Sequence, residues 1–262
     1  MSVAIAEGID NQTAGEERQA TPSVTKALQL LEAFRGAGPT LGVSEIARRA
    51  DVPKSTAFRL LAYLEQSGYV ERIGRDYCLG RRLFELGNSV PLCRPRGLRD
   101  VAAPHLSDLF VNINKVVHLG VLEGTDVVYI DKIYGHKTIQ VPTRVGGRMP
   151  AACSGIGKAM LAFSDRETVE NVLERGLTRR TPYSIADPGR FLRELGRVQR
   201  EKVAFDREEV QLGLVCVSAP ILSEGRAIAA VSVSGPAPQF NPASVAPQVL
   251  RTAAAISRAC AA

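Results

Sequence analysis

The sequence predicts an α+β protein with two domains. Within the first 80 residues, three segments with helical spacing are followed by two short strand-like segments. From about residue 101, strand-like and helix-like segments are mixed along the rest of the chain. The chain has 262 residues, a length that is typical of about two domains.

The first two helices are predicted from N-cap residues and apolar spacing. Ser23 is a favourable N-cap for the first helix, and Ser44 for the second. The first helix repeats apolar residues at helical spacing, namely Val24, Ala27, Leu28, Leu31 and Phe34. In the second helix, Ile46, Ala47 and Ala50 are expected to face the core.

A third helix follows closely after the turn "DVP". Pro53 suits the first helical position, where its missing N–H group costs nothing, and Ser67-Gly68 should end the helix. The expected buried stripe consists of Ala57, Leu60, Leu61 and Leu64. Short strands at Tyr69-Val70 and at 77–79 flank a turn at 74–76. Three helices followed by a β-hairpin predict a winged helix-turn-helix.

Basic residues are concentrated around this third helix and the hairpin. Between Arg48 and Arg99 there are eleven basic and five acidic residues, an excess of six. The net charge of the whole chain is also +6, so about one-fifth of the sequence carries an excess equal to the total. A local basic excess on a winged helix favours contact with DNA phosphates.

The first turn of the third helix is the predicted DNA contact. Lys54 and Ser55 can hold phosphate there, because the free amides of a helix start favour anions. Thr56 and Arg59 are three residues apart, share a face and can reach base edges or phosphates. Arg75, at the tip of the hairpin, can enter the adjacent minor groove. The candidate DNA-binding residues are Ser44, Lys54, Ser55, Thr56, Phe58, Arg59 and Arg75.

The predicted DNA-contact residues and Phe58 also allow other interpretations. Ser and Thr are common at helix starts simply as caps, and exposed arginines are often only solvated. Phe58 lies on neither the leucine stripe nor the charged face. It can contact a thymine methyl group or merely cover the edge of the motif.

Composition argues against several other classes of protein. The five cysteines (Cys78, Cys93, Cys153, Cys216 and Cys260) show no C-x-x-C spacing, which argues against a disulfide framework or a zinc site and indicates a reducing cytoplasm. The three histidines form no H-x-x-x-H pair, so no metal or other cofactor is expected. No apolar run reaches the length of a membrane helix. The polar residues 1–20 are expected to form a disordered leader.

Six segments of the sequence carry a resemblance to a known family, namely "TPSVTKALQLLEAF" (21–34), "SEIARRADVPKSTAFRLLAYLEQSGYVER" (44–72), "YCLGRRLFELG" (77–87), "ACSGIGKAMLA" (152–162), "FDREEVQLGLVCVSAPI" (205–221) and "AAVSVSGP" (229–236). The resemblance is to the IclR family of bacterial transcriptional regulators and covers residue 21 to the C-terminus. It implies a winged helix-turn-helix at 21–80, a linker helix at 81–92, and a GAF-like α/β effector-binding and oligomerisation domain at 93–262.

In the second domain a helix is expected from Val101 toward Asn114, followed by a strand pair within 116–133 and a strand at 138–145. Helices are expected at 154–164, 166–176 and 189–200, strands at 215–222 and 227–235, and a last helix at 242–260.

A ligand site in this domain is suggested by small and polar residues. Ser154 and three residues after it, two of them glycines, open a helix with exposed amides that an anion could approach. Ser232 and Ser234 share one face of their strand, as do Cys216 and Ser218, because side chains alternate along a strand. Close packing of small residues would explain the same pattern. The family resemblance implies an effector site lined by Gly155, Ile156, Asp206, Leu214, Cys216, Ser232 and Ser234.

The leading hypothesis is a DNA-binding regulator that responds to a small organic or aromatic acid, and the family resemblance implies that it is a repressor. The resemblance implies double-stranded operator DNA as its partner and a homodimer or dimer of dimers as its assembly. A thiol enzyme with Cys216 or Cys153 as nucleophile is a second hypothesis, disfavoured because neither position shows a Cys-His signature. A third is a constitutive DNA-binding protein whose second domain only dimerises.

Overall fold

The computed structural model describes residues 22–136 and 138–261, so the leader predicted at 1–20 lies outside the described residues. The chain divides into two compact units, the first ending at Asn88 and the second beginning at Ser89.

The N-terminal unit contains four helices and a small antiparallel sheet in its described part. In chain order its elements are α1 (Ser23–Glu32), β1 (Leu41–Gly42), α2 (Val43–Arg49), α3 (Lys54–Gln66), β2 (Val70–Ile73), β3 (Asp76–Leu79) and α4 (Arg81–Asn88). The strand order is β1-β3-β2. The predicted order of three helices and a hairpin is therefore confirmed. Strand β1 was not predicted, since two residues are too short to show a period.

The predicted helix starts are each wrong by one or two residues. Ser23 is the first residue of α1 and Pro22 is its N-cap. Ser44 lies inside α2, whose N-cap is Gly42. Pro53 is the N-cap of α3, with φ −54° and ψ 138°, and not its first helical residue. No side chain caps any of these three helices, so the backbone at each preceding residue sets the start.

The core of the N-terminal unit lies between the three helices and the hairpin. Leu30, Ile46, Leu61 and Val70 are fully buried there. Burial of each such side chain contributes about 1.5–3 kcal/mol. The buried stripe predicted for α3 is confirmed, with Leu64 at its half-buried margin. Of the apolar residues at helical spacing in the first helix, Val24 and Leu28 are 72% and 58% exposed, so they do not belong to this core.

The C-terminal unit is an α/β structure around one six-stranded sheet. Its elements are α5 (Leu98–Ile113), β4 (Val116–Glu123), β5 (Asp126–Ile133), β6 (Arg148–Pro150), a 3-10 helix (Ala151–Cys153), α6 (Gly155–Leu161), α7 (Arg166–Arg175), α8 (Pro188–Glu201), β7 (Ala204–Arg207), β8 (Leu214–Ser223), β9 (Arg226–Pro236) and α9 (Pro242–Ala261). The strand order is β6-β5-β4-β9-β8-β7, and every neighbouring pair is antiparallel.

The two faces of this sheet pack against different helices. Val217 and Val233 belong to the apolar core shared with α5 and α9. Their neighbours in sequence, Cys216 and Ser232, point to the opposite face, where α6 crosses the sheet. A second apolar core, which includes Ile156 and residues of α7 and α8, completes that side. The predicted mixed architecture of the second domain is confirmed.

Several element predictions for the C-terminal unit are wrong in detail. The predicted strand at 138–145 is irregular in its described residues, 138–145, and a short strand occurs instead at Arg148–Pro150. Strand β7 was not predicted, and α5 begins three residues earlier than expected. Among the described residues, no helix is long and apolar enough to cross a membrane.

Candidate functional site

The start of α3 is an open, basic surface. Lys54, Ser55 and Arg59 are exposed, and Thr56 is half-buried. Within the described part of the chain, neither Lys54 nor Arg59 forms an ion pair. Because no side chain caps α3 and its first turn contains no acidic residue, the first amides remain available to an anion.

The remaining predicted DNA contacts are also on the surface. Ser44 is exposed on the first turn of α2, and Phe58 is 55% exposed one turn into α3. Arg75 is exposed in the turn between β2 and β3, next to Gly74 with φ +63°. Arg72 braces this turn, because its Nε donates a hydrogen bond to the Gly74 carbonyl oxygen over 3.2 Å. The surface therefore offers a basic helix start and a basic wing tip.

A small cavity lies in the C-terminal unit between the sheet and the start of α6. Its volume is about 20 Å³. We refer to it as the sheet cavity. Its lining residues are His118, Tyr129, Val141, Thr143, Ser154, Gly155, Ile156, Asp206, Val210, Leu214, Cys216, Ser232 and Ser234.

All seven residues proposed for the effector site on family resemblance line this cavity. Ser218, which shares the face of Cys216, is fully buried but is not among the lining residues. It lies under α6, since a Cβ atom at Gly155 would come within 2.6 Å of the Ser218 Oγ atom. Gly155 is therefore required for the close approach of α6 to β8, which supports the packing explanation for this one glycine.

The expectation that the start of α6 offers all its amides to a ligand needs correction. The Ser154 Oγ atom accepts a hydrogen bond from the Gly157 amide over 3.0 Å, so the helix caps itself there. A Cβ atom at Gly157 would lie 2.1 Å from the Ala151 carbonyl oxygen, which is sterically impossible. The two glycines thus serve tight packing, while Gly155 also lines the cavity.

Sequence reasoning missed His118, Tyr129, Val141, Thr143 and Val210 as lining residues, and named Ser154 only at the helix start. A signal for His118 was available, because a single polar residue interrupts the apolar strand "VVHLGV". Antiparallel pairing places His118 directly opposite Ser232. No comparable signal marks the irregular segment that contributes Val141 and Thr143.

His118 is buried and held by two hydroxyl groups. Its Nε2 atom lies 2.8 Å from the Thr143 Oγ1 atom, and its Nδ1 atom lies 3.4 Å from the Ser232 Oγ atom. Burial, reinforced by the positive charge of Lys132, lowers the pKa of His118 to about 3. The imidazole is therefore neutral at physiological pH, and it offers hydrogen bonds and no charge to the cavity.

Asp206 is the one acidic group in the cavity lining. It is 2% exposed, and burial raises its pKa to about 7 even though two backbone amides oppose the shift. Its Oδ1 atom accepts hydrogen bonds from the amides of Glu209 and Val210, over 2.7 and 3.4 Å. Asp206 therefore braces the turn after β7 and is partly protonated at neutral pH.

A buried ion pair supports the same wall of the cavity. Lys158 on α6 contacts the Oε1 atom of Glu209, and their side chains are 1% and 6% exposed. The backbone of the turn is held by hydroxyls, since Ser184 Oγ donates to the Glu209 carbonyl oxygen over 2.8 Å. Thr181 Oγ1 likewise donates to the Glu208 carbonyl oxygen over 2.6 Å.

The two buried thiols near the cavity are unreactive at neutral pH. Burial raises the pKa of Cys216 to about 12, and the charge of Asp206 adds to the shift. Burial likewise raises the pKa of Cys153 to about 12. Among the described residues, no group of three or more His, Cys, Asp or Glu side chains is placed to hold a metal ion.

A winged helix-turn-helix with an open basic helix start defines a DNA-binding transcription regulator. Comparison with known families agrees. The profile of the IclR helix-turn-helix domain matches residues 23–74, and that of the bacterial transcriptional regulator IclR C-terminal domain matches residues 93–258. The chain belongs to the IclR family of bacterial transcriptional regulators.

Individual relatives support this assignment along most of the chain. The chain is 32% identical to the transcriptional repressor IclR of Escherichia coli over 220 residues, which covers 82% of this chain and 80% of the relative. It is 33% identical to the regulator KdgR of Dickeya chrysanthemi over 227 residues, which covers 84% of this chain and 72% of the relative. A crystal structure of an IclR homologue from Microbacterium hydrocarbonoxydans, complexed with 4-hydroxybenzoate, has a TM-score of 0.85 at 29% identity and covers 92% of this chain and 99% of that one.

The raised pKa of Asp206 predicts a characteristic dependence of stability on pH. As pH rises above the ordinary Asp value of 3.8, the unfolded chain loses this proton while the folded protein keeps it until about pH 7. Between these values the wild type should lose stability relative to Asp206→Asn, by up to about 1.4 kcal/mol for each pH unit. Asn keeps the acceptor oxygen for the two amides.

Urea unfolding of both proteins at pH 4.5, 5.5, 6.5 and 7.5 measures this difference. The unfolding free energy of the variant minus that of the wild type should increase with pH up to about pH 7 and stay constant above it. A difference that stays constant over this range contradicts the assignment of a high pKa to Asp206.

Proposed function

We propose that this protein is a transcriptional repressor whose affinity for operator DNA is changed by a small organic or aromatic acid bound in the sheet cavity. The observation that carries the proposal is the convergence of hydroxyl, imidazole and carboxyl groups on one small cavity beside the sheet. Ligand sites typically combine an apolar lining with a few polar groups that face the ligand. The complex of a similar regulator with 4-hydroxybenzoate supports an aromatic acid as the class of ligand.

The cavity recognises a carboxylate through neutral donors. The hydroxyls of Ser232, Ser234, Thr143 and Tyr129 can donate hydrogen bonds, and burial keeps the Tyr129 pKa above its usual value. Asp206 can donate as well when it is protonated. Once it ionises, it repels an anionic ligand, so affinity for acids should fall as pH rises through about 7.

Binding requires the cavity to open. A volume of about 20 Å³ is close to the size of one water molecule, whereas ligand pockets usually measure roughly 300–1,000 Å³. The irregular segment 138–145 supplies Val141 and Thr143 to the lining and contains no strand or helix. We propose that this segment moves outward to admit the effector, because most of the other lining residues belong to packed helices and strands.

Effector binding can alter DNA binding only if the ligand prefers one of two conformations. We propose that the linker at 81–92 conveys the change and resets the spacing of two winged helices in a homodimer or dimer of dimers. Palindromic operators require two such modules. On each module, Lys54 and Ser55 hold phosphates, while Thr56, Phe58 and Arg59 face base edges. Ser44 adds a contact from α2, and Arg75 reaches the minor groove.

A thiol enzyme is the weaker alternative. A nucleophilic cysteine needs a low pKa, and the thiols of Cys216 and Cys153 are shifted in the opposite direction. The neutral His118 is held by Thr143 and Ser232, and it makes no hydrogen bond to either thiol.

We expect Arg59→Ala to weaken binding to preferred duplexes by about 1–3 kcal/mol, or roughly 5- to 150-fold, while preserving the fold. Arg59 is exposed and lacks an ion pair in the described chain, so its removal leaves no buried group unsatisfied. Duplexes selected from a random-sequence pool provide the operator, and fluorescence anisotropy gives the affinity. Arg35→Ala is the control, because Arg35 is exposed in the turn after α1 and its ion pair in the described chain is with Glu32. Equal affinity of Arg59→Ala and wild type contradicts the proposed DNA surface.

Saturation with 4-hydroxybenzoate should raise the melting temperature of the wild type, since ligand at 100 times Kd stabilises a protein by about 2.7 kcal/mol. Ser232→Ala should reduce this shift, because it removes a hydroxyl that faces the cavity. Ser223→Ala, at the far end of the β8–β9 hairpin, should not. The same ligand should change the affinity for the selected duplex. If neither this acid nor a panel of small carboxylates shifts melting, the second domain serves only for assembly.

A further inference from the structure

A second cleft, separate from the sheet cavity, lies beside α8 in the C-terminal unit. Its volume is about 370 Å³, which is within the usual range of ligand pockets. We refer to it as the arginine cleft. Its lining residues are Tyr183, Ile185, Arg190, Arg193, Glu194, Arg197, Arg207 and Glu209.

The cleft is built by one polar stripe of α8 and the end of an edge strand. Arg190, Arg193 and Arg197 are spaced three and four residues apart, so they lie on one face of the helix. The opposite face is anchored in the core by Phe191 and other buried residues. Arg207 ends β7, the strand at the edge of the sheet, and faces the cleft from the other side.

The acidic residues in the cleft are already paired. Arg197 donates two hydrogen bonds to Glu194, over 2.8 and 3.0 Å, and also pairs with Glu201. Burial alone would raise the pKa of Glu194, but the Arg197 hydrogen bond and nearby positive charges lower it below its usual value. Glu209 is paired with Lys158. Glu194 and the Oε1 atom of Glu209 are therefore engaged by cations, whereas the buried Oε2 atom of Glu209 has no hydrogen-bond partner in the described part of the chain.

Three guanidinium groups remain without a carboxylate partner. Arg190, Arg193 and Arg207 are exposed, and none forms an ion pair with a residue in the described ranges. Like charges gathered around one concave surface repel one another, and an anion with several charged oxygens relieves that repulsion. Guanidinium groups match such oxygens with paired hydrogen bonds.

We propose that the arginine cleft binds a small multiply charged anion, of the phosphate or polycarboxylate type. The cleft is concave and of ligand size, which favours a small molecule over a flat macromolecular surface. Glu209 lines this cleft, and its amide also donates to Asp206 in the sheet cavity. The same short turn thus touches both sites, although binding at the cleft does not depend on effector binding at the cavity.

Isothermal titration calorimetry of the full chain with inorganic pyrophosphate and with citrate tests the proposal. The comparison of these two anions distinguishes a phosphate ligand from a polycarboxylate ligand. The double variant Arg193→Gln/Arg207→Gln should weaken binding at least tenfold. Arg200→Gln is the control for charge, because it removes one positive charge from an exposed residue of α8 outside the cleft, as each change of the double variant does within the cleft. It should change the affinity less than twofold. Melting curves verify folding, and Arg190→Gln should reproduce the loss if the double variant is unstable.

The site is supported if either anion binds, if the double variant weakens this binding and if Arg200→Gln does not. The anion that binds more tightly then identifies the chemical class of the ligand. Failure of both anions to bind at millimolar concentration overturns the proposal. An equal loss in Arg200→Gln also overturns it, because the attraction is then a general property of the basic surface. If only duplex DNA binding depends on Arg193 and Arg207, the cleft is a nucleic-acid contact and the proposal is wrong.

Discussion

The ion pair between Lys158 and Glu209 ties α6 to the turn after β7, and this turn borders both the sheet cavity and the arginine cleft. Lys158 belongs to α6, whose first residues line the sheet cavity, and Glu209 belongs to the turn that Asp206 braces from the end of β7. Removal of one partner from a buried pair typically costs about 3–5 kcal/mol, because the other charge is left uncompensated. The pair therefore holds α6 and the turn at a fixed separation. The hydroxyls of Ser184 and Thr181 then fix the path of the turn itself.

The two faces of the six-stranded sheet differ in chemical character. Alternation along β8 and β9 sends Val217 and Val233 into the core under α5 and α9, while Cys216, Ser232 and Ser234 face the cavity. Hydroxyl groups and an imidazole thus line the cavity in which we propose that the effector binds.

Local sequence patterns predicted those elements whose buried side chains repeat with the period of a helix or a strand. The helical stripe of α3 and the wing followed from spacing, and the shared face of Ser232 and Ser234 followed from strand alternation. The same rule failed at 138–145, because a loop that presents Val141 and Thr143 inward alternates in the same way as a strand. The helix starts at Ser44 and Pro53 were misplaced, since backbone geometry and not a side-chain cap sets them.

Features that join distant segments could not be predicted. Lys158 and Glu209 are 51 residues apart, and nothing local to either marks the other as its partner. The partnership of His118 with Ser232 needs the register of β4 and β9. The spacing of Arg190, Arg193 and Arg197 was visible on the predicted helix, but the approach of Arg207 depends on β7, a strand too short to be recognised.

A double-mutant cycle on the buried pair tests this account most directly. Lys158→Met, Glu209→Met and the double variant are compared with wild type by urea unfolding of the C-terminal transition. Each single change should lower the unfolding free energy by about 3–5 kcal/mol. The loss in the double variant should be at least ~2 kcal/mol smaller than the sum of the two single losses. Single effects that add within ~0.5 kcal/mol would show that the two charges do not act together, and the cavity wall would then need another support.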